Sequence, residues 1–388
     1  MESSAALRNL FHPIDPAEIA DAAAHDRRLY RRTERAEAFA HLLPWATLNS
    51  LITSQALAER RVTIARQGRP LPLEMVGAAD SPRSGDWVAP EAIQNLCEQG
   101  ASLILNDVER LVPAIAGMNA MVERYLRCDT ITNAYASFNR ESAFKAHFDA
   151  QNVLILQLCG SKRWWCYGQR TRFPLQGRTF PSLDDLPPPE WEGVLEPGDI
   201  LFVPRGDVHR AAVEGTSSLH LTVTMTPPTG ADVLAWLGRA SLREELGRQY
   251  LPILADADRR REHQEALRAV FHRLVDTLDI DAFLADADHA RPPARPLSLG
   301  LGQSLRPAMV VQPALRRRIP LERETGGGDH LDVGGRIVAL SASEREVLAL
   351  LLEEDVLSMR QIVDRLPDLD AYAAVAGLAR KSLVFLFA

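Results

Sequence analysis

Lysine is nearly absent from this chain. Of its 44 basic residues, 41 are Arg and only three are Lys: Lys145, Lys162 and Lys381. A coding sequence rich in G and C accounts for most of that bias, and the abundant Ala agrees with it. Even so, two of the three lysines fall within one short central stretch. Positive charge is also in deficit. Against 51 Asp+Glu the formal net charge is −7, which argues against a strongly basic nucleic-acid binder. Cysteine is scarce: Cys97, Cys128, Cys159 and Cys166 form no CxxC pair, so structural thiols are expected rather than a zinc or disulfide framework. No run of 18 apolar residues exists, and no membrane span is expected. The N-terminus lacks a basic region followed by an apolar core and a cleavage site, so no export is read and a cytoplasmic location is expected. Internal repeats and low-complexity tracts are missing as well.

What remains is ordinary globular usage. The chain has 388 residues, 46% hydrophobic and 24% charged, enough for two or three modules with a sizeable core. Residues 1–100 read as mixed and mainly helical. Asp15 is placed to cap a helix that has Pro16 at its first position, and a loop followed by a helix is expected over 75–100. Residues 101–228 change character, to short apolar strands near 102–105, 130–138, 153–158, 163–167, 200–203 and 219–225. Turn residues such as Cys159-Gly160-Ser161 and Glu196-Pro197-Gly198-Asp199 lie between them, the pattern of a sandwich or barrel. Residues 229–292 return to amphipathic helix, over 231–250, 256–278 and 280–289. Residues 293–329, rich in Pro, Arg and Gly, read as linker. Residues 330–388 run helix, helix, helix, strand, which resembles a winged helix, with Ser341 or Ser343 as cap.

His147-Phe148-Asp149 directly precedes the strand at 153–158. Side chains two apart on an extended chain point to one face, so imidazole and carboxylate can meet one metal. Sixty-two residues after His147, the run Pro197-Gly198-Asp199-Ile200-Leu201-Phe202-Val203-Pro204-Arg205-Gly206-Asp207-Val208-His209 supplies a turn, a strand, a second turn and a second imidazole. Two His and one carboxylate on a β scaffold form a facial triad suited to non-haem Fe(II). An isolated HxD is common; the combination is the informative signal.

These residues, with Gln157-Leu158-Cys159-Gly160-Ser161-Lys162-Arg163-Trp164, resemble the JmjC/cupin-4 oxygenases of the ribosomal-oxygenase type. The resemblance extends to 39–48 and 103–113 and to the order of barrel, helical segment and winged helix. It implies an α+β protein: a double-stranded β-helix with N-terminal α/β elements, a helical dimerisation region and a C-terminal winged helix. It further implies an Fe(II)- and 2-oxoglutarate-dependent dioxygenase, using O2, with His147, Asp149 and His209 as the metal ligands. Lys162 matches the basic residue that meets the distal carboxylate of 2-oxoglutarate, where a compact ammonium neutralises a buried anion. It is expected to return to the barrel mouth across a hairpin turn. Asn133 and Tyr135 match co-substrate positions, and Thr222 or Thr224 could contact the same molecule. His220 is expected to line the pocket or the core. Trp164, Trp165 and Tyr167 are expected in core and dimer packing, and Lys145 in solvent.

The implied substrate is an Arg or His side chain of a ribosomal protein or other polypeptide. Two further classes stay open: a hydroxylase tailoring a biosynthetic precursor peptide, with the winged helix gripping a leader segment, and a non-enzymatic cupin-like binding protein. Asp207 either favours a cationic substrate or caps a turn. Residues 330–388 carry six Lys+Arg and nine Asp+Glu, so this module is not expected to bind DNA. The Arg316-Arg317-Arg318 run reads as a solvated patch. A homodimer is expected.

Overall fold

The centre of the molecule is set by apolar runs that bury both faces of a strand. In Val153-Leu154-Ile155-Leu156, Leu154 and Leu156 join the core beneath the helices, while Val153 and Ile155 join a cluster on the opposite face. A strand covered on both sides cannot show polar alternation, and each such aliphatic contributes about 2 kcal/mol by leaving water. The computed structural model describes residues 3–33, 35–53, 61–66, 69–71, 89–138, 145–175, 186–323 and 329–387.

The first part of the chain holds α1 (Ala5–Phe11), α2 (Pro16–Ala24), β1 (Leu29–Arg31), α3 (Trp45–Thr53), β2 (Val62–Arg66), β3 (Arg69–Leu71), α4 (Pro90–Glu98), β4 (Ser102–Leu105), α5 (Pro113–Leu126) and β5 (Asp129–Ser137). The centre holds β6 (Asn152–Gln169), β7 (Trp191–Leu195), β8 (Ile200–Val203) and β9 (Asp207–Thr226). These nine strands form one antiparallel sheet in the order β1-β8-β6-β9-β5-β4-β2-β3, with β7 paired to β6. Strands from the first hundred residues, a part expected to be mainly helical, therefore complete the sheet. The expected cap of α2 forms: Asp15 accepts from the Ala17 amide and Glu18 closes a capping box. The loop expected over 75–88 lies outside the described residues.

The hairpin expected at Cys159-Gly160-Ser161 is absent. β6 runs unbroken through it, with register shifts against β9 on either side of Gly160. Gly160 has φ +61°, and a Cβ there would lie 1.9 Å from the Ser217 carbonyl oxygen. The glycine that looked like a turn is a bulge, which bends the strand without ending it.

After the sheet come α6 (Gly230–Ala240), α7 (Glu245–Arg248), α8 (Ala257–Asp276) and α9 (Ile280–Ala290). The single helix expected over 231–250 is broken, because the chain turns through residues 241–243 before α7. The end of the chain holds β10 (Val310–Pro313), β11 (Glu322–Arg323), β12 (Asp329–Val333), β13 (Arg336–Leu340), α10 (Ala342–Glu354), β14 (Leu357–Ser358), α11 (Met359–Arg365), α12 (Ala371–Arg380) and β15 (Val384–Phe387). Two small sheets, β14-β10-β15 and β11-β12-β13, pack with the three helices. Ser341 with Glu344 and Ser358 with Gln361 form capping boxes.

Here the linker expected over 293–329 needs correction. Met309, Val311, Leu315 and Ile319 are core residues of the C-terminal module, and β10 is the middle strand of its sheet. The solvated patch also fails. Arg316 and Arg317 bind the fully buried Glu123 on α5, and Arg317 also pairs with Asp129 and Asp288. Next to Glu123, the buried Arg124 donates to Asp355 and to the carbonyls of Pro313 and Leu315.

Candidate metal centre

His147 sits just before β6, where it makes one isolated bridge to β9. Its amide donates to the His209 carbonyl at 3.0 Å, and the His209 amide donates back at 2.7 Å. This pair of backbone bonds fixes the spacing between the two imidazoles, whose centroids are 4.6 Å apart. Each ring is also fixed in rotation. His147 Nδ1 lies 2.9 Å from the Lys145 carbonyl, and His209 Nδ1 lies 2.9 Å from the Asp207 carbonyl. A carbonyl only accepts, so the proton sits on Nδ1 and each Nε2 keeps its lone pair for the cavity. The Asp149 carboxylate lies 3.6 Å from His209 Nε2. One ligand atom from each of the three residues falls within 4.8 Å of the others, a set that could hold a metal ion in the facial pattern. Burial and the neighbouring His209 lower the pKa of His147.

Both turns of the downstream motif serve this geometry. Gly198 has φ +92°, and a Cβ there would meet the Arg35 carbonyl at 2.3 Å. The buried Asp199 beside it accepts from the Thr33 and Glu196 amides, both at 3.0 Å. At the second turn the Gly206 amide donates to the Asp149 carbonyl at 2.9 Å, which ties the HxD segment to the strand carrying His209.

The three ligands open into a cavity of about 70 Å³, also lined by Tyr135, Lys162, Trp164, His220 and Thr222. Lys162 is 3% exposed, and its ammonium donates to the Ser137 hydroxyl at 3.3 Å. No carboxylate among the described residues pairs with it. Burial alone lowers its pKa to about 7. His220 stacks on Tyr135 with ring centroids 5.0 Å apart, and burial followed by Lys162 pushes its pKa well below the usual imidazole range. Burial, then Asp149, raises the Tyr135 phenol to about 12. His220 Nδ1 and Trp164 Nε1 are buried without a hydrogen-bond partner among the described residues. Buried polar atoms are normally paired, so this wall suits a polar ligand carrying negative charge.

Residues 108–233 match the sequence model of the JmjC domain family. That segment is a JmjC domain. Its curated relatives include Ribosomal oxygenase 1 of Homo sapiens, 33% identical over 141 residues, 35% of this chain and 22% of that protein. Another is the Bifunctional lysine-specific demethylase and histidyl-hydroxylase NO66 of Aedes aegypti, 31% identical over 142 residues, 36% of this chain and 22% of that protein. The aligned part of this chain thus spans about a fifth of these relatives' length. The structure of YcfD, a ribosomal oxygenase from Escherichia coli, in complex with cobalt and 2-oxoglutarate covers 96% of this chain and 98% of its own, with a TM-score of 0.53 at 17% identity. That likeness is one of fold, a JmjC/cupin-type antiparallel sheet with flanking helices.

Within the JmjC domain, six of the eight residues expected at the site meet in one cavity: His147, Asp149, His209, Lys162, Tyr135 and Thr222. Asn133 and Thr224 do not line it. Asn133 accepts from the Asp107 amide at 3.1 Å and its side chain hydrogen-bonds Tyr135, so it braces the pocket wall. Thr224 lies one step further along β9, between Ile131 and Val153. Asp207 is not in the cavity wall either; its carboxylate accepts from Arg28 at 2.9 and 2.6 Å and also from the Gly168 amide. Trp164, expected in core packing, is buried and also lines the cavity. Trp165 carries the Arg210 guanidinium 4.4 Å above its ring, and Tyr167 packs with Phe148 and Val208. Val153, Ile155 and Ala211 were missed as wall residues. For Val153 and Ile155, alternation with the core residues Leu154 and Leu156 is the signal that could have placed them; Ala211, between Arg210 and Ala212, carries no such signal.

Proposed function

We propose that this chain is an Fe(II)- and 2-oxoglutarate-dependent oxygenase that hydroxylates a side chain, of Arg or His type, in a ribosomal protein. The observation that carries the reading is one cavity holding both the His147–Asp149–His209 set and a buried ammonium that no carboxylate among the described residues neutralises. The naming of relatives as ribosomal oxygenase and histidyl-hydroxylase supports the substrate class. It favours this class over a precursor-peptide tailoring enzyme, and the complete donor set argues against a non-enzymatic binding protein.

The donor chemistry fits the cofactors. His147, Asp149 and His209 would hold Fe(II), and Lys162 with Tyr135, Thr222 and His220 would hold 2-oxoglutarate. Bound iron, with 2-oxoglutarate and O2, supplies oxidative decarboxylation of the co-substrate to succinate and CO2 while one oxygen atom enters a substrate C–H bond. The chain's own share is positional. The carbonyls of Lys145 and Asp207 hold both imidazoles as neutral Nε2 donors. Lys162 neutralises the far end of a dianion in a site where water screens little. Tyr135 keeps its phenolic proton at neutral pH and can donate it to a carboxylate oxygen. Trp164, Val153 and Ile155 exclude water around the reacting bond.

Beyond the domain, we read 229–292 as a dimerisation region. Leu234, Tyr250, Leu254, Phe271 and Val275 expose apolar surface there that a second copy could cover. Residues 309–387 are read as a winged-helix module fixed to the core. No helix among the described residues is long and apolar enough to cross a membrane, and a cytoplasmic site of action is part of the same proposal. The test is turnover of 2-oxoglutarate by purified protein with Fe(II), together with a one-oxygen mass gain on ribosomal proteins in cells with, but not without, the gene. His147→Ala should abolish both. Full turnover in that variant, or unmodified ribosomal proteins in the presence of the gene, would overturn the reading.

A further inference from the structure

The third metal ligand stands beside an irregularity in the sheet. β6 and β9 pair Cys166 with His209 and then Gln169 with Asp207, a register slip next to the ligand itself. A bulge leaves backbone groups unpaired and loosens local orientation. The His209 ring is nonetheless fixed through Nδ1 by the carbonyl of Asp207. Asp207 in turn is held by something outside the sheet. Arg28, which directly precedes β1, donates through Nε at 2.9 Å and Nη2 at 2.6 Å to one oxygen of its carboxylate. Asp207 is 2% exposed and Arg28 is largely shielded, with Glu190 a further 3.7 Å neighbour of the guanidinium. Burial raises the pKa of Asp207 and Arg28 opposes that shift.

We propose that the Arg28–Asp207 ion pair is a clamp that positions His209 for metal binding, so that the N-terminal segment is a working part of the metal centre. Arg28 and Asp207 are positioning residues: neither reaches the cavity, and both act through the Asp207 carbonyl. The inference rests on the metal reading above. Arg28 lies 179 residues away from Asp207 in sequence and outside the matched JmjC segment. Its two-pronged contact is specific to guanidinium geometry.

The two variants Arg28→Gln and Asp207→Asn separate positioning from simple charge. If only long-range charge mattered, removing the cation at 28 would tighten divalent-metal binding, and removing the anion at 207 would weaken it. A clamp requires both to weaken it, since each loses the same bond. Cobalt(II) titration of the purified full chain, followed by its visible absorption, reads the dissociation constant without turnover. We expect both variants to raise it by about tenfold, the usual effect of losing a group that orients a ligand. Arg28→Lys, which keeps the charge but not the fork, should weaken cobalt binding by an intermediate factor. It also serves as the measurement if Arg28→Gln fails to fold. Unchanged or tighter binding in Arg28→Gln or Arg28→Lys would overturn the clamp. So would loss of thermal stability with the cobalt constant unmoved, the signature of a staple that holds only the N-terminus. His147→Ala tells the two readings apart: cobalt binding that survives it sinks the metal reading and the clamp together, while binding that it abolishes leaves the clamp to be judged on its own variants.

Discussion

Two of the cations buried among the described residues, Arg124 and Lys162, have opposite surroundings. Arg124, 1% exposed on α5, is saturated: Asp355 accepts at 2.9 and 2.5 Å, and the carbonyls of Pro313 and Leu315 take another N–H. Ser4 donates to the same Asp355 carboxylate. Lys162, 3% exposed on β6, has a neutral hydroxyl as its recorded hydrogen-bond partner. Burying a charge costs several kcal/mol, and only a partner offsets it. The saturated cation is part of the architecture, since it joins α5 to the C-terminal module. The unsaturated one is costly in the free protein and makes sense if its partner arrives as a ligand.

The contrast gives direct ways to break it. The largest effect is expected at the junction. Arg124→Met leaves Asp355 buried without its cation and should lower unfolding stability by about 3–5 kcal/mol, read by denaturant unfolding; protein that still folds should bind 2-oxoglutarate normally. Lys162→Met should do the reverse. It removes an unpartnered buried charge, so the melting temperature of the cofactor-free protein should hold or rise. Affinity for 2-oxoglutarate should fall roughly a hundredfold, the scale of about 3 kcal/mol for a buried charged contact. Calorimetry checks both, and a destabilised Lys162→Met with unchanged affinity would erase the distinction.

A pH series sharpens the same comparison. The pKa of Lys162 falls from 10.5 to about 7 on folding, so between those values the unfolded chain binds more protons than the folded one. Stability of the ligand-free protein should then rise with pH across that window, relative to Lys162→Met, by at most about 1.4 kcal/mol per unit. Affinity for 2-oxoglutarate should fall as pH rises above about 7, because an anion needs the protonated amine. The titratable groups facing Lys162 are His220, which stays neutral there, and Tyr135, which keeps its proton. The smallest effect separates two threonines on β9. Thr222→Val removes a cavity hydroxyl and should weaken co-substrate binding by about fivefold, the scale of one hydrogen bond; Thr224→Val should change it less than twofold.

Much of the site was legible because its signals are local. The HxD run and the Pro197–His209 run carry their own turns, and the glycines at 198 and 206 take positive φ where a side chain would collide. The errors share one cause, which is that sequence does not say what a residue meets. Gly160 looked like a hairpin until Ser217 was seen behind it. Arg316 and Arg317 looked solvated until Glu123 was seen beneath them. Asn133 was placed on the right face but is occupied by Asp107 and Tyr135.

By itself the sequence determined a β-rich centre of sandwich or barrel type, through short apolar strands separated by turn residues. It also determined the metal-ligand types and singled out Lys162 as the co-substrate cation, though it set that lysine beyond a hairpin turn that the unbroken β6 does not contain. Only the tertiary structure decided that the two imidazoles are bridged backbone to backbone, that Arg28 reaches Asp207, and that Lys162 is buried without an anion among the described residues while Arg124 has one. These facts depend on residues far apart in the chain, and their energies arise only when folding removes water from between them.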